Sequence, residues 1–112
     1  MSWTAVCRLD DLVPGRGSCV LFDGCDVALF RLPDGRLYAV DDLDPYCGVP
    51  VLSRGIVGSR GETDVVFSPM YKQAFDLATG IAVDEPEVRI LTYPARVVDG
   101  VVELSSAGAL AA

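Results

Sequence analysis

A chain of 112 residues with nine Lys plus Arg against sixteen Asp plus Glu carries a net charge of −7, is 51% hydrophobic and contains no histidine. The length implies one domain, with a core that buries about two thirds of the unfolded chain's surface. Without histidine the chain lacks the commonest metal ligand, the usual general base and every Ser-His or Cys-His nucleophile pair, and its acidic balance argues against nucleic acid and anionic membranes as partners.

In chain order, Met1-Ser2-Trp3-Thr4 shows no basic region ahead of an apolar stretch. No apolar run approaches the ~20 residues of a spanning helix, so a cytoplasmic protein without membrane contact is expected. A β-prone run covers residues 3–9, and further runs at 18–22, 26–31 and 36–41 are separated by Asp23-Gly24 and Asp34-Gly35. Asp-Gly tolerates the positive φ of tight hairpin turns. Val27-Ala28-Leu29-Phe30 is continuously apolar, the pattern of a strand covered on both faces.

Residues 42–64 hold Pro45, Gly48, Pro50, Gly55, Gly58 and Gly61 and read as one long loop, a feature that is usually functional in a small domain. Strands are expected again at 65–67, 73–76, 89–97 and 101–104, the last two flanking Asp99-Gly100. Leu91, Tyr93, Ala95 and Val97 alternate with their neighbours at the strand period, while Pro94 marks an edge or a bulge. Helix signals amount to one or two short turns at most.

About eight short strands point to an all-β, antiparallel sandwich or small barrel. The domain is expected to span residues 1–104, with 105–112 as a flexible tail. Cys7, Cys19, Cys25 and Cys47 show no two-residue gap of the zinc or redox kind, so they read as buried or free thiols. Cys47 lies beside Gly48 without an adjacent cation to activate it.

Two places interrupt the strands with a proline-bearing turn: Asp44-Pro45-Tyr46-Cys47-Gly48-Val49-Pro50-Val51 and Ser68-Pro69-Met70-Tyr71-Lys72-Gln73. With Asp34-Gly35-Arg36-Leu37-Tyr38-Ala39-Val40 before the first and Phe75-Asp76-Leu77-Ala78-Thr79-Gly80 after the second, the frame resembles the Rieske domain family. In that family Cys-x-His and Cys-x-x-His loops hold a two-iron cluster. Here the two cysteine positions fall on Asp44 and Ser68 and the two histidine positions on Tyr46 and Tyr71. Carboxylate, hydroxyl and phenol are hard oxygen groups that replace thiolate and imidazole poorly around a sulfide-bridged cluster.

Val51-Leu52-Ser53-Arg54-Gly55-Ile56-Val57-Gly58, Asp84-Glu85-Pro86-Glu87-Val88 and Tyr93-Pro94-Ala95-Arg96-Val97 narrow the resemblance. They are similar to the small subunits of assimilatory NAD(P)H-dependent nitrite reductase, a Rieske-like group without cluster ligands, though Ala74 stands where that pattern has His. The resemblance implies an all-β fold with two tip loops and a non-catalytic subunit with no cofactor of its own. It also implies a large subunit carrying FAD, siroheme and an iron-sulfur cluster, which reduces nitrite to ammonium. The alternatives are a stand-alone ferredoxin-like electron carrier and a β interaction module for another oxidoreductase.

If the cluster is absent, the tip must be filled otherwise. Tyr46 and Tyr71 are expected to project inward and to bond Asp44, Ser68 or backbone groups. Pro45, Val49, Met70 and Tyr71, with the cations Arg54 and Lys72 beside them, are the candidate docking surface. Asp41-Asp42-Leu43-Asp44 and Asp84-Glu85-Pro86-Glu87 are expected to form a solvated negative face.

Overall fold

The computed structural model describes residues 2–70 and 72–106. Twelve strands follow in order: β1 (Thr4–Arg8), β2 (Gly17–Phe22), β3 (Cys25–Arg31), β4 (Leu37–Asp41), β5 (Leu43–Asp44), β6 (Val49–Pro50), β7 (Ile56–Arg60), β8 (Thr63–Phe67), β9 (Ala74–Asp76), β10 (Thr92–Tyr93), β11 (Ala95–Val98) and β12 (Val101–Leu104). Single 3-10 turns at Leu9–Asp11 and Leu52–Arg54 are the helical elements among the described residues. No helix there is long and apolar enough to cross a membrane.

Two of the three Asp-Gly pairs make two-residue hairpins. Asp23 and Gly24 have φ of 51° and 77°, Asp99 and Gly100 have 51° and 78°, and paired positive φ is the type I′ geometry that matches strand twist. Phe22 therefore faces Cys25, and Val98 faces Val101. At Asp34-Gly35 only the glycine has positive φ. There the Asp34 carboxylate accepts the Arg36 N–H at 3.1 Å and Arg36 Nε–H at 2.7 Å, which shapes a wider turn.

The order β10-β4-β3-β2 forms the central sheet, with β1-β12-β11 and β7-β8-β9 as further sheets and β5-β6 as a short ribbon. All pairings are antiparallel. Alternation along β3 sends Ala28 and Phe30 to a core with Val40, Leu52, Val66, Phe75 and Leu77. It sends Val27 and Leu29 to a second core with Leu12, Phe22, Ala39, Val102 and Leu104. The central sheet is thus covered on both faces, as the unbroken apolar run required. Full burial of Phe30 and Phe75 contributes about 1.5–3 kcal/mol each.

Three expectations change. The strand at 89–97 is two strands in different sheets: β10 pairs with β4, and β11 pairs with β12. Pro94 lies at the break because it has no N–H to donate, and its carbonyl accepts the Ser105 N–H at 3.1 Å. Ser105 is itself buried, and of the expected tail at 105–112 residues 107–112 lie outside the described residues.

The loop at 42–64 also contains structure, since β7 and β8 form a regular hairpin through Gly61 at φ 63°. Gly58 sits inside β7 because the Phe67 ring lies 2.9 Å from where a Cβ would be, a packing reason that glycine content alone disguises as loop. Finally, Asp41-Asp42-Leu43-Asp44 is not a solvated acidic face. Asp42 and Asp44 are 2% and 0% exposed.

Candidate functional site

The first tip loop is anchored at its base by Asp42. Its Oδ1 accepts the Ser53 N–H at 2.6 Å and its carbonyl accepts the Leu52 N–H at 3.0 Å. Its own N–H donates to the Asp26 carbonyl at 3.1 Å. A buried carboxylate is tolerated where such donors replace water.

Asp44, two residues on, organises the loop itself. Oδ1 accepts the Tyr46 N–H at 2.8 Å, and the Asp44 carbonyl accepts the Gly48 N–H at 2.7 Å, with Gly48 at φ 71°. In the second loop, Ser68 Oγ accepts the Met70 N–H at 3.2 Å, and the Ser68 carbonyl accepts the Lys72 N–H at 3.0 Å. Lys72 closes the turn at φ 60°, an uncommon conformation for a non-glycine residue.

The two loops are joined by one buried bond. Ser68 Oγ–H donates to Asp44 Oδ2, and the two residues are 1% and 0% exposed. Each side chain thus makes the local turn of its own loop and the cross-link to the other. These are the two residues that the sequence resemblance sets at the cysteine positions of a Rieske centre.

Tyr46 fills the space beside them but not with the expected partners. Its ring packs against Phe75, with centroids 6.0 Å apart and planes tilted by 52°. Its hydroxyl donates to Glu85 Oε1 at 2.7 Å rather than to Asp44 or Ser68. Desolvation, followed by the Glu85 hydrogen bond and the negative charges of Glu85, Glu87 and Asp44, pushes the phenol up to about 12. Glu85 therefore ties the acidic segment down over the first loop. Tyr71 lies outside the described residues.

This donor set does not fit a Rieske cluster. Asp44 and Ser68 are engaged with each other and with backbone amides, the chain has no imidazole, and among the described residues no group of three or more His, Cys, Asp or Glu side chains is arranged to hold a metal ion.

Of the docking candidates, Pro45, Val49, Met70 and Lys72 are exposed on the two loops, Val49 at 41% and Met70 at 52%. Leu43, paired with Pro50 across β5-β6, is a further exposed apolar residue at 43%. Sequence reasoning missed it, since only the two-residue ribbon turns it outward. Arg54 is exposed too and lines a cleft with Arg16. Cys47 is half-buried and free, as are Cys7 and the exposed Cys19 and Cys25 in lacking disulfides.

Residues 2–105 match the family of Rieske-like [2Fe-2S] domains. The nitrite reductase (NADH) small subunit of Salmonella typhimurium is 38% identical over 103 residues, which cover 91% of this chain and 95% of that one. A crystal structure assigned to an NADH-dependent nitrite reductase small subunit from Mycobacterium tuberculosis superposes with a TM-score of 0.88 at 50% identity, covering 92% and 93% of the two chains. The nitrite reductase [NAD(P)H] large subunit of Klebsiella oxytoca is 37% identical over 98 residues, 88% of this chain but 10% of that one. With matches that span nearly the whole domain, the chain belongs to the Rieske-like [2Fe-2S] domain family and, within it, to the nitrite reductase small subunits.

Proposed function

We propose that this chain is the non-catalytic small subunit of a cytoplasmic NAD(P)H-dependent nitrite reductase and docks through its tip onto the large subunit. In this reading the large subunit holds FAD, siroheme and an iron-sulfur cluster and reduces nitrite to ammonium, while the small subunit acts by contact. The Klebsiella oxytoca large subunit supports the assignment of the partner, because it includes a segment related to 88% of this chain. Units joined in one chain meet at a high effective concentration, and separate chains must replace that tether with an interface.

The tip is suited to the task. Leu43, Val49 and Met70 expose apolar surface, which subunit interfaces place at their centre. The Asp44–Ser68 bond and the Tyr46–Glu85 bond hold both loops in one shape before binding, and preorganisation lowers the ordering cost of association.

The test is binding to purified large subunit by Val49→Asp with Met70→Glu. Both residues are exposed, so the variant is expected to fold normally and to lose at least tenfold in affinity. In parallel, nitrite-dependent NAD(P)H oxidation is measured with and without this chain. Activity indifferent to its presence would remove the accessory-subunit reading.

A further inference from the structure

The nine cations of this acidic chain are not all engaged internally. Arg36 pairs with Asp34 and Asp64, Arg60 approaches Asp84, and Arg96 pairs with Glu103. Arg31 Nη1 donates to the carbonyls of Leu9 and Leu12. Arg16 and Arg54 have no carboxylate partner among the described residues, and both line one cleft of about 470 Å³.

That cleft runs between the turn at 15–17, which leads into β2, and residues 53–57, which lead into β7. β2 and β7 are the outer strands of their respective sheets. The floor is closely packed: the Ser53 carbonyl and the Phe30 ring stand where a Gly17 Cβ would lie, and the Phe67 carbonyl does so at Gly55. Ile56, which also lines the cleft, is 73% exposed, the highest value among the large apolar side chains described.

Five backbone amides of the cleft are already engaged. Gly15 N–H donates to Arg31 O, Arg16 N–H to Val13 O, Arg54 N–H to Val51 O, Gly55 N–H to Leu52 O and Ser53 N–H to Asp42 Oδ1. Recognition of an anion there falls to the two guanidinium groups, whose planar forks suit carboxylates.

We propose that the cleft receives an extended acidic segment of the large subunit, with carboxylates on Arg16 and Arg54 and an apolar side chain against Ile56. The inference rests on the small-subunit reading and deepens it by assigning a second contact with its own chemistry. An extended backbone fits a groove flanked by two outer strands. The net charge of −7 repels acidic surfaces that lack the matching geometry, so the two uncompensated cations make the contact selective.

The experiment is titration of purified large subunit with wild type, R16E/R54E, R16K/R54K and the charge control R8E/R89E, at low and high salt. Arg8 and Arg89 are exposed, lie outside the cleft and give the same change in net charge. Expected are at least a tenfold loss and a flatter salt dependence for R16E/R54E, a smaller loss for R16K/R54K, and near wild-type affinity for R8E/R89E. The proposal is overturned if R16E/R54E binds within twofold of wild type, or if the charge control loses as much. In both cases the small-subunit reading survives, whereas failure of the wild type itself to bind overturns both.

Discussion

Asp44 and Ser68, 24 residues apart in sequence, meet in a buried hydrogen bond that joins the two tip loops. Removing the hydroxyl by Ser68→Ala leaves Asp44 Oδ2 without its donor in a site closed to water and also takes an acceptor from the Met70 amide. An unsatisfied buried carboxylate oxygen costs about 1–3 kcal/mol. Urea denaturation of Ser68→Ala is expected to show a lower midpoint at unchanged slope, and a double-mutant cycle with Asp44→Ala should show coupling between the sites. An unchanged midpoint would mean that the bond does not hold the loops together.

Tyr46 supplies a pH-dependent term. Its pKa is raised from the ordinary 10.0 to about 12, first by desolvation and then by the Glu85 bond and nearby carboxylates. A group whose pKa is raised on folding favours the native state fully below its unfolded pKa and loses that contribution as pH climbs through the folded value. The stability difference between wild type and Tyr46→Phe is therefore expected to be constant up to about pH 10 and to shrink towards about pH 12. Thermal melts of the two proteins across that window measure it.

Two exposed thiols on neighbouring strands differ in surroundings. Cys19 is pushed up to about 11 by partial desolvation, then by the charge of Asp42 and a hydrogen bond to it. The thiolate is the reactive form, so iodoacetamide at about pH 8 should label Cys25 ahead of Cys19, despite the exposure of both. Peptide mapping of a time course gives the order, and equal rates would contradict the Asp42 contact.

Among the glycines, Gly80 and Gly24 share a positive φ, 78° and 77°, but not their surroundings. A Cβ at Gly24 meets open space, whereas one at Gly80 collides with the Ile90 carbonyl, whose residue also donates its N–H to Gly80 O at 2.8 Å. Gly24→Ala is expected to cost about 1 kcal/mol from backbone strain. Gly80→Ala should cost clearly more, because backbone rather than a flexible side chain must move, and comparison of the two midpoints checks the ranking.

The legible parts of the fold were those governed by local chemistry. Asp23-Gly24 and Asp99-Gly100 determined their hairpins through φ alone, and Val27-Ala28-Leu29-Phe30 announced a strand with two covered faces. Gly58 misled because the cause of its presence is the ring of Phe67, nine residues away and visible only after the β7-β8 hairpin has formed. Likewise Pro94 signalled a break, but the different partners of β10 and β11 depend on which edges β4 and β12 offer.

The sequence by itself determined that no imidazole exists, that the two proline-bearing turns carry oxygen groups at Asp44, Tyr46 and Ser68, and that the frame around them is Rieske-like. Only the tertiary structure decided how those oxygens are used. Burial made the Asp44 carboxylate seek donors, and the meeting of two distant loops supplied the Ser68 hydroxyl. The Tyr46 hydroxyl went to Glu85, and Arg54 came to face the same cleft as Arg16. Residue type sets which bonds a side chain can make, but the partner is fixed by which groups folding brings within about 3 Å of it.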